Sequence, residues 1–118
     1  MSSIETKHSI LIQTIKNLEQ FESNELQFIQ DFFEFVSVGR SHHLVAYKSR
    51  TKYIYFINKG FVRLYLPIKD KEHTRFIARS GSFIAAFPYF INQKESLEVV
   101  ETITDCELLR ISRNDFEK

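Results

Sequence analysis

The chain has 118 residues, of which 43% are hydrophobic and 26% are charged, and its formal net charge is +1. This length supports one domain with its own core, and the near-neutral charge gives no indication of a broad nucleic-acid surface or an acidic partner. The sequence shows no long apolar run and no signal peptide, and its single cysteine, Cys106, excludes an intrachain disulfide. We therefore expect a cytoplasmic domain with no membrane contact.

Residues 1–36 are predicted to form a helical lead-in. Apolar side chains recur on one helical stripe over residues 4–21, and Ser23 is a predicted N-cap for a second helix. Two apolar ridges on that second helix predict that it packs against a large surface. The ridges consist of Leu26, Ile29 and Phe33, and of Phe28, Phe32 and Phe35.

From Val36 onward the pattern changes to that of short strands. In the clearest pair, two aromatic and β-branched runs flank Asn58-Lys59-Gly60, a turn whose glycine suits the positive φ of a hairpin. The second run alternates with a period of two residues. One face carries Val62, Leu64 and Leu66, and the other carries Phe61, Arg63 and Tyr65.

Polar turns separate the other strands that the sequence predicts. Short strands at this spacing favour a sandwich or roll over alternating strand–helix units. The other runs cover residues 44–47, 53–57, 74–78, 83–90, 97–104 and 107–111.

The sequence from Ser112 to Asp115 has the form of a capping box, which predicts that a helix begins there. An isolated helix needs roughly 12 to 15 residues to be stable in water. Residues 113–118 are therefore expected to be the start of a truncated helix, in a chain that is either a fragment or ordered there by a neighbour.

Four motifs follow one another along the chain. They are Tyr53-x-Tyr-Phe-Ile-x-Lys-Gly-x-Val-Arg63, Lys71-Glu-x-Thr74, Gly81-x-Phe-Ile84 and Asp105-Cys-Glu-Leu-Leu-x-Ile-Ser112. Together they resemble the sensor domain of Crp/Fnr-type bacterial transcription regulators, over about residues 21–116. The resemblance implies a mainly β fold with flanking helices, a cyclic-nucleotide-binding-like β-roll (double-stranded β-helix or jelly roll) preceded by α-helices.

The resemblance also implies how the chain is organised and what it lacks. A single domain would span residues 1–118, with the roll over residues 37–112. Its role would be non-enzymatic sensing of a small-molecule effector. A long dimerisation helix would follow Ser112, a full-length protein would be a homodimer, and DNA would bind only through a C-terminal helix-turn-helix that this chain does not contain.

The ligand positions of the family are altered in this sequence. In members that bind cyclic AMP, a Gly-Glu pair serves the ribose and an Arg-Ser or Arg-Ala pair serves the cyclic phosphate. Counted without gaps, these positions are Ala85, Ala86, Ser96 and Leu97. Without the guanidinium the phosphate loses charge-assisted hydrogen bonds worth about 1.5 to 3 kcal/mol each. Because these positions are altered, we expect no ordinary cyclic AMP binding, and we predict no other cofactor.

The surrounding segment is apolar and defines a candidate ligand pocket. It offers space either for a less charged effector of unknown identity or simply for core side chains, and the second interpretation is favoured. Lys94 and Arg75 are candidate replacements for the missing cation, although spacing does not decide between them. The candidate pocket residues are Phe83, Ile84, Ala85, Ala86, Phe87, Ser96 and Leu97.

The remaining reactive side chains are interpreted as structural. Adjacent strand residues point to opposite faces, so His42 and His43 are predicted to lie on an exposed turn or strand edge and not to share a metal ion. His73 is predicted to be a surface residue, since no nucleophile accompanies it. Cys106 is predicted to be a small buried hydrophobe. Lys48, Arg50 and Lys52 read either as a nucleic-acid surface or, as favoured here, as a solvated loop.

Two functional hypotheses follow from these features. The first is an effector-sensing regulatory domain of a Crp/Fnr-like transcription regulator with a degenerate phosphate site. The alternative is a stand-alone ligand-binding or interaction module of the same fold with no DNA-binding role. A cupin-like metalloenzyme is disfavoured because the sequence lacks the ligand set.

Overall fold

The computed structural model describes residues 8–13, 29 and 31–116. Residues 8–13 and 31–32 are helical, which agrees with the predicted lead-in where the two overlap. The remainder of the helix predicted over residues 4–21, the cap at Ser23, and Leu26 and Phe28 on the ridges lie outside the described residues.

Eight strands and two short helices follow. Every strand pair is antiparallel, and the strands form two four-stranded sheets with the orders β1-β8-β3-β6 and β2-β7-β4-β5. This is the predicted mainly β roll. The elements are β1 (Glu34–Val38), β2 (His43–Val45), β3 (Tyr53–Lys59), β4 (Phe61–Ile68), β5 (Lys71–Arg79), β6 (Phe83–Ile84), α1 (Phe87–Asn92), β7 (Val99–Thr102), β8 (Cys106–Ser112) and α2 (Arg113–Phe116).

The apolar run of strand β3 is long because both faces of the strand are covered. Tyr55 and Ile57 join the core between the two sheets, whereas Ile54 and Phe56 join clusters on the other face of the same sheet. A strand covered on both faces reads as a continuous hydrophobic run and not as an alternating one. Phe56 packs there with Leu11 of the N-terminal helical residues.

The N-terminal residues are fastened to this outer face by polar as well as apolar contacts. Leu11 and Ile29 are buried beside Phe56 and Leu109 of the sheet. The buried His8 donates a hydrogen bond from Nε2 to the carbonyl of Phe33 at 2.8 Å. The described helical residues thus pack on the outer face of this sheet, and Ile29 and Phe33 of the predicted ridge take part in that contact.

The predicted hairpin between β3 and β4 is confirmed. Gly60 has φ 110°, and Val62 and Leu64 of β4 are buried in the core while Phe61 is exposed. The next hairpin, β4–β5, turns through Lys69 and Asp70, which both have positive φ. Two successive left-handed residues match the right-handed twist of the paired strands.

Several element boundaries differ from the sequence prediction, and three of them are instructive. Phe35, predicted on the second helix, lies in β1 and pairs with Leu109. The run predicted as a strand over residues 83–90 contains only the two residues of β6 before α1 begins. Pro88 lies in the first turn of α1, where its missing N–H costs nothing, whereas in a strand it would break the ladder. Strand β7 begins at Val99 and not at Leu97.

The predicted helix start after β8 is also present. The backbone N–H of Asp115 donates to Ser112 Oγ at 3.2 Å, and Ser112 Oγ donates to the Asp115 carboxylate at 3.0 Å. These bonds satisfy an N–H that the first turn leaves without an intrahelical partner. Within the described residues, no helix is both long and apolar enough to cross a membrane.

Candidate functional site

The seven predicted pocket residues occupy five different environments. Ile84 and Ala86 are fully buried in the core between the sheets, and Ala85 is buried under α1 in a separate cluster with Phe90. Ser96 is fully buried, but Leu97 is 49% exposed. The remaining two, Phe83 and Phe87, lie on an outer groove. The segment therefore faces several ways, as expected when a strand, a helix and a turn follow one another within a few residues.

Ala86 stands where the ribose-binding glutamate of cyclic AMP-binding members is expected. It is completely buried among aliphatic and aromatic side chains, including Tyr55, Leu64 and Val100. Its carbonyl accepts hydrogen bonds from the N–H groups of Tyr89 and Phe90, which hold the start of α1. A methyl group here fills core space and offers a ribose hydroxyl no hydrogen-bond partner.

Ser96 stands where the phosphate-binding arginine is expected, and its hydrogen-bonding groups are already engaged. Its hydroxyl donates to the Glu98 carbonyl at 2.7 Å and accepts from the Glu98 N–H at 3.0 Å. Its own backbone N–H donates to the carbonyl of Ser49 at 2.8 Å. A hydroxyl has one donor. Because that donor and the adjacent N–H are both used internally, Ser96 offers an anion no donor.

Replacing Ser96 by alanine should destabilise the domain by about 1 to 3 kcal/mol, because the Glu98 N–H and carbonyl each lose a partner in a buried turn. Ser37 on β1 is exposed and provides the control, since Ser37→Ala should change stability by less than about 0.5 kcal/mol. Urea unfolding of both variants measures the difference. Equal midpoints would show that the Ser96 hydroxyl does not hold this turn.

Neither candidate replacement cation is buried at the pocket. Lys94 follows α1 and is exposed. Arg75 is exposed on β5, where it is the extra residue of a bulge opposite Leu64 and Tyr65. A solvated cation at either place contributes little to holding a phosphate inside the roll, because exposed charges interact weakly through water.

An apolar groove lies outside the sheet that contains β3, between α1 and α2. Its volume is about 330 Å³, and no polar atom contributes to its lining surface. Phe83 contacts Phe56 edge-on with a centroid distance of 5.0 Å, and Phe116 packs edge-on against Phe90 at 5.6 Å. The groove is lined by Phe33, Ile54, Phe83, Phe87, Ile111 and Phe116.

Sequence reasoning did not find an ionic network on the sheet that contains β4. Arg63 donates to the Glu101 carboxylate from Nε at 3.0 Å and from Nη2 at 2.7 Å, and from Nη2 to Glu72 at 2.7 Å. His43 Nε2 lies 3.1 Å from Glu101 Oε2. The hydrogen bond from Arg63 lowers the pKa of Glu72 below its ordinary value. Strand register brings these residues together, because β4 lies between β5, which carries Glu72, and β7, which carries Glu101.

The other reactive side chains lie where the sequence predicted. His42, His43 and His73 are exposed, and β2 is an edge strand. Cys106 is buried in the core, and burial raises the pKa of its thiol. Among the residues that the structure describes, no group of three histidine, cysteine or acidic side chains is arranged to hold a metal ion.

The basic loop ahead of β3 is exposed, which is compatible both with a solvated loop and with a nucleic-acid surface. Lys48, Arg50 and Lys52 are all exposed. Lys48 lies over the Tyr47 ring at 5.5 Å from its centroid, and Arg50 donates from Nη1 to the Gln93 carbonyl at 2.7 Å.

The two-sheet roll with a short helix between β6 and β7 is typical of the cyclic nucleotide-binding fold. Residues 35–118 match the cyclic nucleotide-binding domain family, and the chain belongs to that family. The domain of this family is regulatory and not catalytic. A comparison with curated proteins found no match.

Solved structures with the same fold come from kinases and transcription regulators. The regulatory domain of Toxoplasma gondii protein kinase A, crystallised with cyclic AMP, has a TM-score of 0.78 at 16% identity, over 97% of this chain and 43% of its own. The regulatory subunit of a cAMP-independent protein kinase A from Trypanosoma cruzi, bound to guanosine, has 0.78 at 19% identity, over 99% and 42%. The sensor domain of the transcriptional regulator DNR from Pseudomonas aeruginosa has 0.79 at 13% identity, over 99% and 78%. This chain thus spans less than half the length of the kinase regulatory structures.

Proposed function

We propose that this chain is the effector-sensing domain of a Crp/Fnr-like transcription regulator, and that its effector is not a cyclic nucleotide. The Crp/Fnr assignment is supported by the motifs around Gly60 and Cys106, together with the shared fold of the DNR sensor domain. Ligand entry would shift an equilibrium between arrangements of the roll relative to the helix that begins at Arg113.

The observation that carries the second half of the proposal is the state of Ser96. Its hydroxyl and backbone N–H are donated to Glu98 and Ser49, and the neighbouring ligand position, Ala86, is part of the core. A cyclic phosphate entering the roll would lose water without gaining a cation or a free donor. A less charged effector does not incur that cost. The guanosine-bound kinase subunit from Trypanosoma cruzi supports a ligand without phosphate on this fold.

Calorimetric titration of the purified chain tests the proposal. We expect no binding of cyclic AMP or cyclic GMP at up to about 1 mM, since loss of the ionic hydrogen bonds weakens binding by one or more factors of ten. Guanosine is the uncharged arm of the same experiment. Micromolar affinity for either cyclic nucleotide would overturn the inference from Ala86 and Ser96.

The DNA-binding half of the proposal has a separate test. A helix-turn-helix encoded by the codons after Lys118 would support a transcription regulator, and the full-length protein should then be a dimer that shifts a promoter fragment in a gel. A stop codon after Lys118, together with a stable monomer, would favour the stand-alone module instead. A cytoplasmic location remains a prediction, and fractionation of cells that express the full-length protein tests it.

A further inference from the structure

A second cavity shares no residue with the predicted ligand positions, although its lining residue Arg50 forms an isolated β-bridge with Glu95, next to Ser96. It is bounded by the loop of residues 50–52 that precedes β3, by Gln93 at the end of α1, and by residues 112–114 at the junction of β8 and α2. Its volume is about 340 Å³. Small-molecule sites in proteins commonly begin at about this size.

Three cationic side chains line this cavity, and none of its lining residues is acidic. They are Arg50, Lys52 and Arg113. Arg50 and Lys52 form no ion pair within the described residues. Arg50 uses Nη1 for the carbonyl of Gln93, which leaves further guanidinium donors available. Like charges gathered around a cavity repel one another, and an anion among them relieves that repulsion.

The two arginines are also positioned and not merely exposed. The 2.7 Å hydrogen bond from Arg50 Nη1 to the Gln93 carbonyl holds the first guanidinium in place. Arg113 donates from Nη2 to the carbonyl of Ile91 at 3.2 Å, and its guanidinium lies 5.5 Å from the centroid of the Phe90 ring. Both of these contacts of Arg113 are with residues of α1. An arginine held in this way loses less side-chain entropy when it binds an oxyanion.

Thr51 lines the same cavity and is only 7% exposed. Its Oγ1 has no hydrogen bond within the described residues and is itself closed off from solvent. The indication of a ligand therefore comes from the cations that line the cavity and not from this hydroxyl.

We propose that this cavity binds the phosphate of a small phosphomonoester. The dianion of such a group balances the local positive charge better than a single carboxylate does, and its oxygens match the forked donors of arginine. The remaining volume takes the organic part of the ligand beside the ring of Tyr53. The backbone N–H of Arg113 donates to the Lys52 carbonyl at 3.1 Å. A ligand bound to the side chains of both Lys52 and Arg113 would therefore hold the loop against the start of α2.

Binding of inorganic phosphate and of AMP to the chain, measured calorimetrically at fixed ionic strength, tests this site. We expect phosphate to bind with a millimolar Kd and AMP to bind about tenfold more tightly. Arg50→Gln should weaken both by about tenfold or more, because it removes a fixed guanidinium from the cavity. Arg79→Gln is the control, because Arg79 is exposed on the edge strand β5 and does not line the cavity.

Two results would overturn the proposal. One is the absence of binding by the unmodified chain at about 10 mM phosphate and AMP. The other is equal affinity in Arg50→Gln and Arg79→Gln, which would show that only general surface charge attracts the anion. Neither result bears on the interior of the roll, since the titration with cyclic nucleotides tests Ala86 and Ser96 separately.

Discussion

Replacing Gly60 by alanine is expected to destabilise the domain by about 3 kcal/mol or more, a large share of the 5 to 15 kcal/mol typical of a domain. Gly60 has φ +110°, which L-residues rarely adopt. A Cβ atom there would also lie 2.6 Å from Cys106 Sγ and 2.7 Å from the Asp105 carbonyl oxygen. The carbonyl belongs to the backbone at the start of β8, so relief requires the sheet itself to move.

Gly81 supplies the matched control for this prediction. It has φ +89°, but a Cβ atom added to it would meet nothing within 4 Å. Gly81→Ala should therefore show only the cost of the backbone conformation, about 1 to 2 kcal/mol. The difference between the two urea midpoints then isolates the steric contact at Gly60. If both glycines tolerate alanine equally, the close approach of the β3–β4 turn to Cys106 is wrong.

Truncation of Phe56 to alanine is expected to cost about 3 to 5 kcal/mol. The side chain is fully buried on the outer face of β3, where it packs with Leu11, Ile29 and Leu109. Its ring also contacts Phe83 at a centroid distance of 5.0 Å. Removing the ring opens a cavity between the sheet and the N-terminal helical residues. The variant therefore loses the transfer free energy of the ring and also incurs the free-energy cost of the cavity.

Phe76→Ala gives the comparison for Phe56→Ala. Phe76 lies on the edge strand β5 and is 47% exposed, so its truncation should cost less than about 1 kcal/mol. Equilibrium unfolding of both variants, followed by circular dichroism, measures the difference. Similar costs would mean that the N-terminal helical residues do not cover the outer face of β3.

Local pattern was sufficient where a structural feature depends on neighbours in sequence. The turn at Gly60, the buried Val62 and Leu64, and the cap between Ser112 and Asp115 were all predictable, because hairpin geometry, strand alternation and capping operate within a few residues. The failed boundary at residues 83–90 has a local reason as well. Pro88 suits the first turn of a helix and disfavours a strand, whereas the aromatic residues around it favour a strand.

Features that depend on register were not accessible in the same way. Arg63 and Glu72 face each other across the β4–β5 hairpin, but Glu101 is distant in the sequence and joins their ionic network only because β4 also lies beside β7. The cavity at Thr51 is of the same kind, since Arg50 and Arg113 meet only where α2 leaves β8 beside the loop. The sequence shows the basic residues of that loop as a cluster, but it does not show the cavity that two of them line with Arg113.

By itself, the sequence determined a mainly β domain, its best hairpin and its resemblance to a sensor family, and it predicted that Ala86 and Ser96 replace the expected glutamate and arginine. Those conclusions depend on residue identity and short spacing. Only the tertiary structure decided that the Ser96 donors are engaged, that Phe83 and Phe87 face an outer groove, and that three cations surround Thr51. The physical reason is that a hydrogen-bond partner, a covered face and a cavity wall come from distant parts of the chain, and only the packing of the two sheets and their flanking helices brings them together.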